Sequence, residues 1–63
     1  MKPKQTERVQ IQVVSSFLAG GHYAEVWEAD TGNEVLTTEV YGTEGEALTA
    51  AREWAAEKGY GVE

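Results

Sequence analysis

The chain has 63 residues, a formal net charge of −6 and no cysteine. A single domain of this length buries only about 60% of the surface its unfolded chain exposes, and with no disulfide to compensate its core must come from aromatic and branched side chains packed between few elements. The acidity excludes an unaided phosphate binder, which needs a basic patch. No stretch has the length of a membrane span, and no apolar run follows the N-terminal lysines, so a cytoplasmic protein is expected.

Residues 1–7 read as a flexible basic arm, polar and without periodicity, with Pro3 as the one proline. Lys2, Lys4 and Arg8 are three of the five basic residues. Residues 9–63 then hold ten acids against Arg52 and Lys58, so the body carries about −8. From Arg8 the pattern alternates, with Val9, Ile11 and Val13 pointing one way and Gln10, Gln12 and Val14 the other, as in a half-buried strand. Phe17 to Gly21 interrupts the run, and the Gly20-Gly21 pair marks a turn or bulge. Residues 22–29 form a second alternating run, Asp30-Thr31-Gly32-Asn33 a strong turn signal, and residues 34–41 a third strand.

The next segment contains a complete helix. Thr43 is the N-cap, and Glu46 three residues later completes a capping box. Glu44 and Glu46 face the positive end of the helix dipole; Lys58 lies in the last turn, and Gly59 is the stop. Ala47, Leu48, Ala50, Ala51, Trp54 and Ala55 form an apolar stripe in which Leu48 and Trp54 are the expected large anchors. Tyr60-Gly61-Val62-Glu63 is a short tail that packs back on the sheet. The order predicts one α+β domain over residues 8–63: a three-stranded antiparallel meander packed on one C-terminal helix, βββα.

The helix requires one sheet face, and the pattern assigns it Val9, Ile11, Val13, Ala24, Val26, Leu36 and Val40. The other face then shows Val14, Tyr23, Trp27, Val35 and Tyr41, with Glu25 and Glu39 between them. So apolar a face marks an interface. The alternatives are swapped faces, because a one-residue slip reverses every side chain, or a cover made by Phe17-Leu18 and the tail.

The chain offers little chemistry. His22 is the only histidine and has no cysteine or second histidine to share a metal. Ser15, Ser16, His22 and Asp30 can be written as a triad, but no nucleophile elbow or oxyanion feature accompanies them. Glu53 and Glu57 share a helix flank at i and i+4 without a cleft to shift their titration. The glycine pairs lack the lysine and following helix of a phosphate loop. The expectation is therefore no enzyme, no cofactor and no metal.

The acids are the remaining candidates: Glu44, Glu46, Glu53 and Glu57 on the helix, Glu28, Asp30 and Glu34 around the turn, and Glu25 and Glu39 on strands. Glu46 to Glu53 spans ~10 Å and Glu53 to Glu57 ~6 Å at a rise of 1.5 Å per residue, comparable to phosphate spacings along a strand. The bland alternative is a solvated helix flank.

Two passages resemble known families. Gly20-Gly21-His22-Tyr23-Ala24-Glu25-Val26, and the passage from Gly42 through Thr43 and Glu46-Ala47-Leu48 into the alanine-rich helix, resemble the last strand-to-helix region of HicB-type antitoxins. The Pro and Gly-Cys loop of that family is missing. The resemblance implies a toxin-blocking role. The same helix also resembles the end of a double-stranded-RNA-binding domain, but Glu44, Gly45 and Glu46 stand where that family carries lysines. In size and acidity, though not in motif, the chain is similar to phage-encoded inhibitors, anti-CRISPR proteins among them.

Three functional expectations result. The first is a non-enzymatic binder whose acids block a basic protein such as a CRISPR effector, toxin RNase, polymerase or topoisomerase. The second is a self-associating module, a homodimer pairing through Tyr23, Trp27, Val35 and Tyr41. The third is weak nucleic-acid binding through Lys2, Lys4 and Arg8, which the acidic body disfavours.

Overall fold

The computed structural model describes residues 7–63. Its elements are β1 (Arg8–Ser16), β2 (Gly21–Glu28), β3 (Glu34–Thr37), α1 (Glu44–Lys58) and β4 (Gly61–Val62). They form an α+β fold with a mixed four-stranded sheet in the order β3-β2-β1-β4. β1 and β2 pair antiparallel without interruption from Val9↔Glu28 to Ser16↔Gly21, and β3 pairs antiparallel with β2. The three-stranded meander is thus present, but the sheet is larger than expected: β4 adds a fourth strand, parallel to β1, with Arg8 opposite Gly61 and Val9 opposite Val62. The arm proposed over residues 1–7 lies, for residues 1–6, outside the described residues. Glu7 itself joins the sheet margin, its carbonyl accepting from the Gly61 N–H at 2.7 Å.

Local chemistry explains both ends of α1. Thr43 is extended (φ −136°), and its hydroxyl oxygen accepts from the Glu46 N–H at 3.2 Å. The reciprocal bond of the box runs from the same hydroxyl to Glu46 Oε1, at 3.1 Å, and not from the Thr43 amide. At the other end Gly59 is left-handed (φ 80°), a conformation that disfavours any side chain. Its N–H reaches the Ala56 carbonyl at 3.1 Å and the Tyr60 N–H reaches that of Ala55 at 2.9 Å, the two bonds of a Schellman motif. The apolar contact that accompanies such motifs is Tyr60 stacked on Trp54, with centroids 5.5 Å apart. This reversal aims the chain back along β1 and so creates β4.

α1 lies over β1, β2 and β4, and β3 flanks it, with Val35 and Leu36 packed against the margin of the core. Its wholly buried residues are Ala47, Ala51 and Ala55, an i, i+4, i+8 seam against Val9, Ala24 and Val26. The helix therefore docks through small side chains. Leu48 and Trp54, the expected anchors, are only partly buried, and the largest fully buried side chains are Val9 and Val26.

The face assignment holds for β1 and β2 and fails at three positions along the third segment. Val26 pairs with Leu36 but Trp27 pairs with Glu34, so Val35 is an extra residue; it packs against the core cluster and not on the aromatic face. A second extra residue comes later in the segment. Ala24 donates to Thr38 Oγ1 at 2.8 Å and accepts from the Thr38 N–H at 2.9 Å. Two residues further along β2, His22 exchanges two backbone bonds with Tyr41, not with residue 40. Each extra residue reverses the facing of the residues after it. Val40 is consequently 46% exposed, away from its expected place under the helix. Tyr41 shares the helix-bearing side with His22 and packs against the core cluster, which removes it from the proposed aromatic face.

Candidate functional site

The helix acids stand on well-defined backbone. Glu44, Glu46, Glu53 and Glu57 are all exposed. Glu46 and Glu53 border an open groove beside α1 whose wall includes Tyr41 and Thr49. The relocated Tyr41 thus joins two of the acids, a grouping that the alternation pattern had hidden. Among the described residues one ion pair is formed, between Arg8 and Glu63 at 3.3 Å. Among those same residues no cation lies within ion-pair distance of the helix carboxylates; Arg52 and Lys58 are the two cations of α1.

The turn acids form a separate set. Glu28 accepts from the Thr31 hydroxyl at 3.3 Å, and Glu34 accepts from the hydroxyl of Thr37. The first contact ties Glu28 to the turn and the second holds Glu34 along β3, while Asp30 is exposed. The row of Glu28, Val9 and Val62 closes the opposite end of β2 from the row of His22 and Tyr41. Six residue steps along β2 separate the two rows, ~20 Å at about 3.3 Å per residue. The turn acids therefore sit at the far end of the sheet from Glu46, whereas α1 runs from the Tyr41 end towards β4 and carries Glu57 back towards the Glu28 end.

Tyr23 and Trp27 do share the sheet face opposite α1, across from Val14 and Gln10, and Glu25 lies between them opposite Gln12. The proposed covers do not reach this face. Phe17 and Leu18 project from the β1–β2 turn, 99% and 98% exposed, and the tail extends the sheet edge. The alternation pattern does not single out that tip as a surface. A signal for it was nonetheless present: residues 9–24 contain no Asp, Glu, Lys or Arg in a chain that is 25% charged.

Ser15 Oγ and His22 Nδ1 lie 2.8 Å apart, while Asp30 is beyond the far end of β2, so the written triad is not assembled. Arg8 belongs to β1 and directs its guanidinium to Glu63 and, at 3.4 Å, to the Val62 carbonyl. Of the basic residues assigned to nucleic acid, Lys2 and Lys4 lie outside the described residues. Among the described residues no helix is long and apolar enough to cross a membrane. No family model matches the chain, and no curated protein or solved structure matches it.

Proposed function

We propose that this domain is a non-enzymatic protein-binding inhibitor or regulator whose acidic helix flank engages a basic, nucleic-acid-handling protein. The observation that carries this reading is the exposed row of Glu46, Glu53 and Glu57 on α1, none of them in an ion pair among the described residues, with Tyr41 beside the first two. A rigid capped helix holds these carboxylates at fixed intervals, which favours a partner built to receive phosphates. Tyr41 adds the amphipathic ring area typical of interface hot spots. Antitoxin and anti-CRISPR-type activities fall within this class, and CRISPR effectors, toxin RNases, polymerases and topoisomerases are the partners to test.

Self-association through Tyr23 and Trp27 is the less favoured reading. Glu25 stands between them on the same face, and a two-fold contact centred there opposes two carboxylates.

The test is a binding titration against a captured basic partner at several salt concentrations. Exchanging Glu46, Glu53 and Glu57 together for Lys is expected to weaken binding about tenfold or more at low salt, given ~0.2–1 kcal/mol for each exposed pair lost. It is also expected to flatten the salt dependence. Equal affinity at every salt concentration refutes the acidic-flank reading.

A further inference from the structure

We propose that β4 is a strap that opens and closes as a unit across the outer edge of β1, with Arg8 as its clasp and Gly61 as its pivot. The strap is held from both sides. On its inner side the Gly61 and Glu63 amides donate to the Glu7 and Val9 carbonyls, at 2.7 and 2.9 Å. Strand backbone alternates, so the N–H and C=O of Val62 point away from β1. Arg8 reaches that outward carbonyl from the neighbouring strand: its Nη2 donates to it at 3.4 Å, while its Nε donates to Glu63 Oε2 at 3.3 Å. Gln10 Nε2 donates to the other carboxylate oxygen of Glu63, also at 3.4 Å. The guanidinium therefore passes over β4 and grips it from the far side.

Little else holds these residues. Gly61, Val62 and Glu63 are all at least partly exposed, and Val62, beside Val9, is 37% exposed. Tyr60 belongs to the helix, because its N–H donates to the Ala55 carbonyl and its ring stacks on Trp54. The boundary between fixed and movable chain thus falls at Gly61. On the other side Val9 is wholly buried and β1 is paired with β2 along its length, so β1 stays in place when the strap leaves. A segment with few buried apolar contacts opens locally, well below the free energy of global unfolding. An exposed ion pair is a small term for a whole domain, but it is a large part of what retains three residues.

The two states present different edges. Closed, the strap occupies the outward carbonyls of Glu7 and Val9 and covers one margin of Val9. Open, it returns both positions to the bare edge, adding Glu7 and Val9 to the outward-facing Ile11, Val13 and Ser15. It also releases the Arg8 guanidinium from Glu63, its partner in the one ion pair among the described residues. The strap thereby sets both the length of strand edge and the positive charge that this side of the domain shows to solvent.

Amide hydrogen exchange read residue by residue by NMR tests the strap, in the whole chain and in Arg8→Gln, Glu63→Gln and the double variant. In the wild type the Gly61 and Glu63 amides are expected to share one protection factor, lower than those of β1 and β2. Each single substitution is expected to speed both amides by the same factor, about 1.5–5-fold, and to leave the Tyr60 and β2 amides unchanged. The double variant is expected to exchange no faster than the faster single, because both substitutions remove the same pair. The two singles are independent readings, so global instability in one leaves the other to decide. Faster exchange at Glu63 alone is fraying of the last residue and overturns the proposal. So does a Tyr60 amide that speeds up with Gly61, which removes the pivot, or unchanged exchange in the singles, which removes the clasp.

Discussion

Replacing Gly21 by Ala tests the link between the 40–41 segment and β2, the link that places Tyr41 in the acidic groove. A Cβ at position 21 would stand 2.5 Å from the Tyr41 carbonyl oxygen and 2.8 Å from Val40 Cγ1. The first neighbour is backbone and must withdraw by roughly 0.5–1 Å to reach ordinary van der Waals contact. That movement strains both bonds of the bridge, His22 N–H to the Tyr41 carbonyl at 2.8 Å and Tyr41 N–H to the His22 carbonyl at 2.6 Å. Losing two backbone bonds costs ~1–3 kcal/mol, offset by ~0.4–1 kcal/mol because alanine restricts the unfolded chain. The net loss of about 1–2 kcal/mol lowers Tm by roughly 5–15 °C in a domain of this size. Urea and thermal unfolding followed by circular dichroism measure it, and hydrogen exchange at the Tyr41 amide locates it. Gly45→Ala is the control: it lies in the first turn of α1 with open space around it and should stabilise by ~0.5–1 kcal/mol. A Gly21→Ala variant as stable as wild type, with Tyr41 equally protected, refutes the bridge.

Thr43→Ala removes the hydroxyl that both caps the Glu46 amide and meets its carboxylate; urea titration should show a loss of about 1 kcal/mol. Trp54→Ala is expected to cost about 2 kcal/mol, less than the ~3–5 kcal/mol of a core tryptophan, because Trp54 is half-buried and its partner Tyr60 keeps part of its cover; tryptophan fluorescence and thermal melts check it. Exchanging Phe17 and Leu18 together for Ser should leave the unfolding free energy from urea titration within ~0.5 kcal/mol of wild type, since both are almost fully exposed.

Legibility tracked the range of the interaction. Thr43, Glu46 and Gly59 act within one turn of themselves, so the helix and both its ends could be read directly. The alternation of β1 and β2 was equally plain, because their pairing has no interruption. The third segment was misread at Val35, Val40 and Tyr41, while Leu36 was placed correctly. Its two extra residues are set by partners on β2, and the second depends on the Thr38 hydroxyl standing in for a backbone carbonyl. Nothing in the local pattern of Val35, Val40 or Tyr41 records that substitution. β4 is too short to show a period; only the reversal at Gly59 positions it. For the candidate site, the acidic residue types were visible, but the separation of the turn acids from Glu46 was not, since that depends on where the sheet places the turn relative to the helix.

The pairing of β4 with β1 joins residues more than fifty positions apart, Arg8 with Gly61, and it has consequences for the order of assembly. The β1–β2 hairpin closes a four-residue turn and belongs to the microsecond class of events. β4 closes nearly the whole chain and gains only a few backbone bonds, so it has little to offset the entropy of a long loop until α1 has docked. During synthesis the hairpin is complete while the last strand is still within the translation machinery. The growing chain therefore passes through a period in which all of β1's outer edge is bare, and β4 acts as a closing latch on a strand made long before it. In the finished protein the same latch, two residues long, is expected to open at the lowest free energy of the strands, which hydrogen exchange would show as the fastest strand amides.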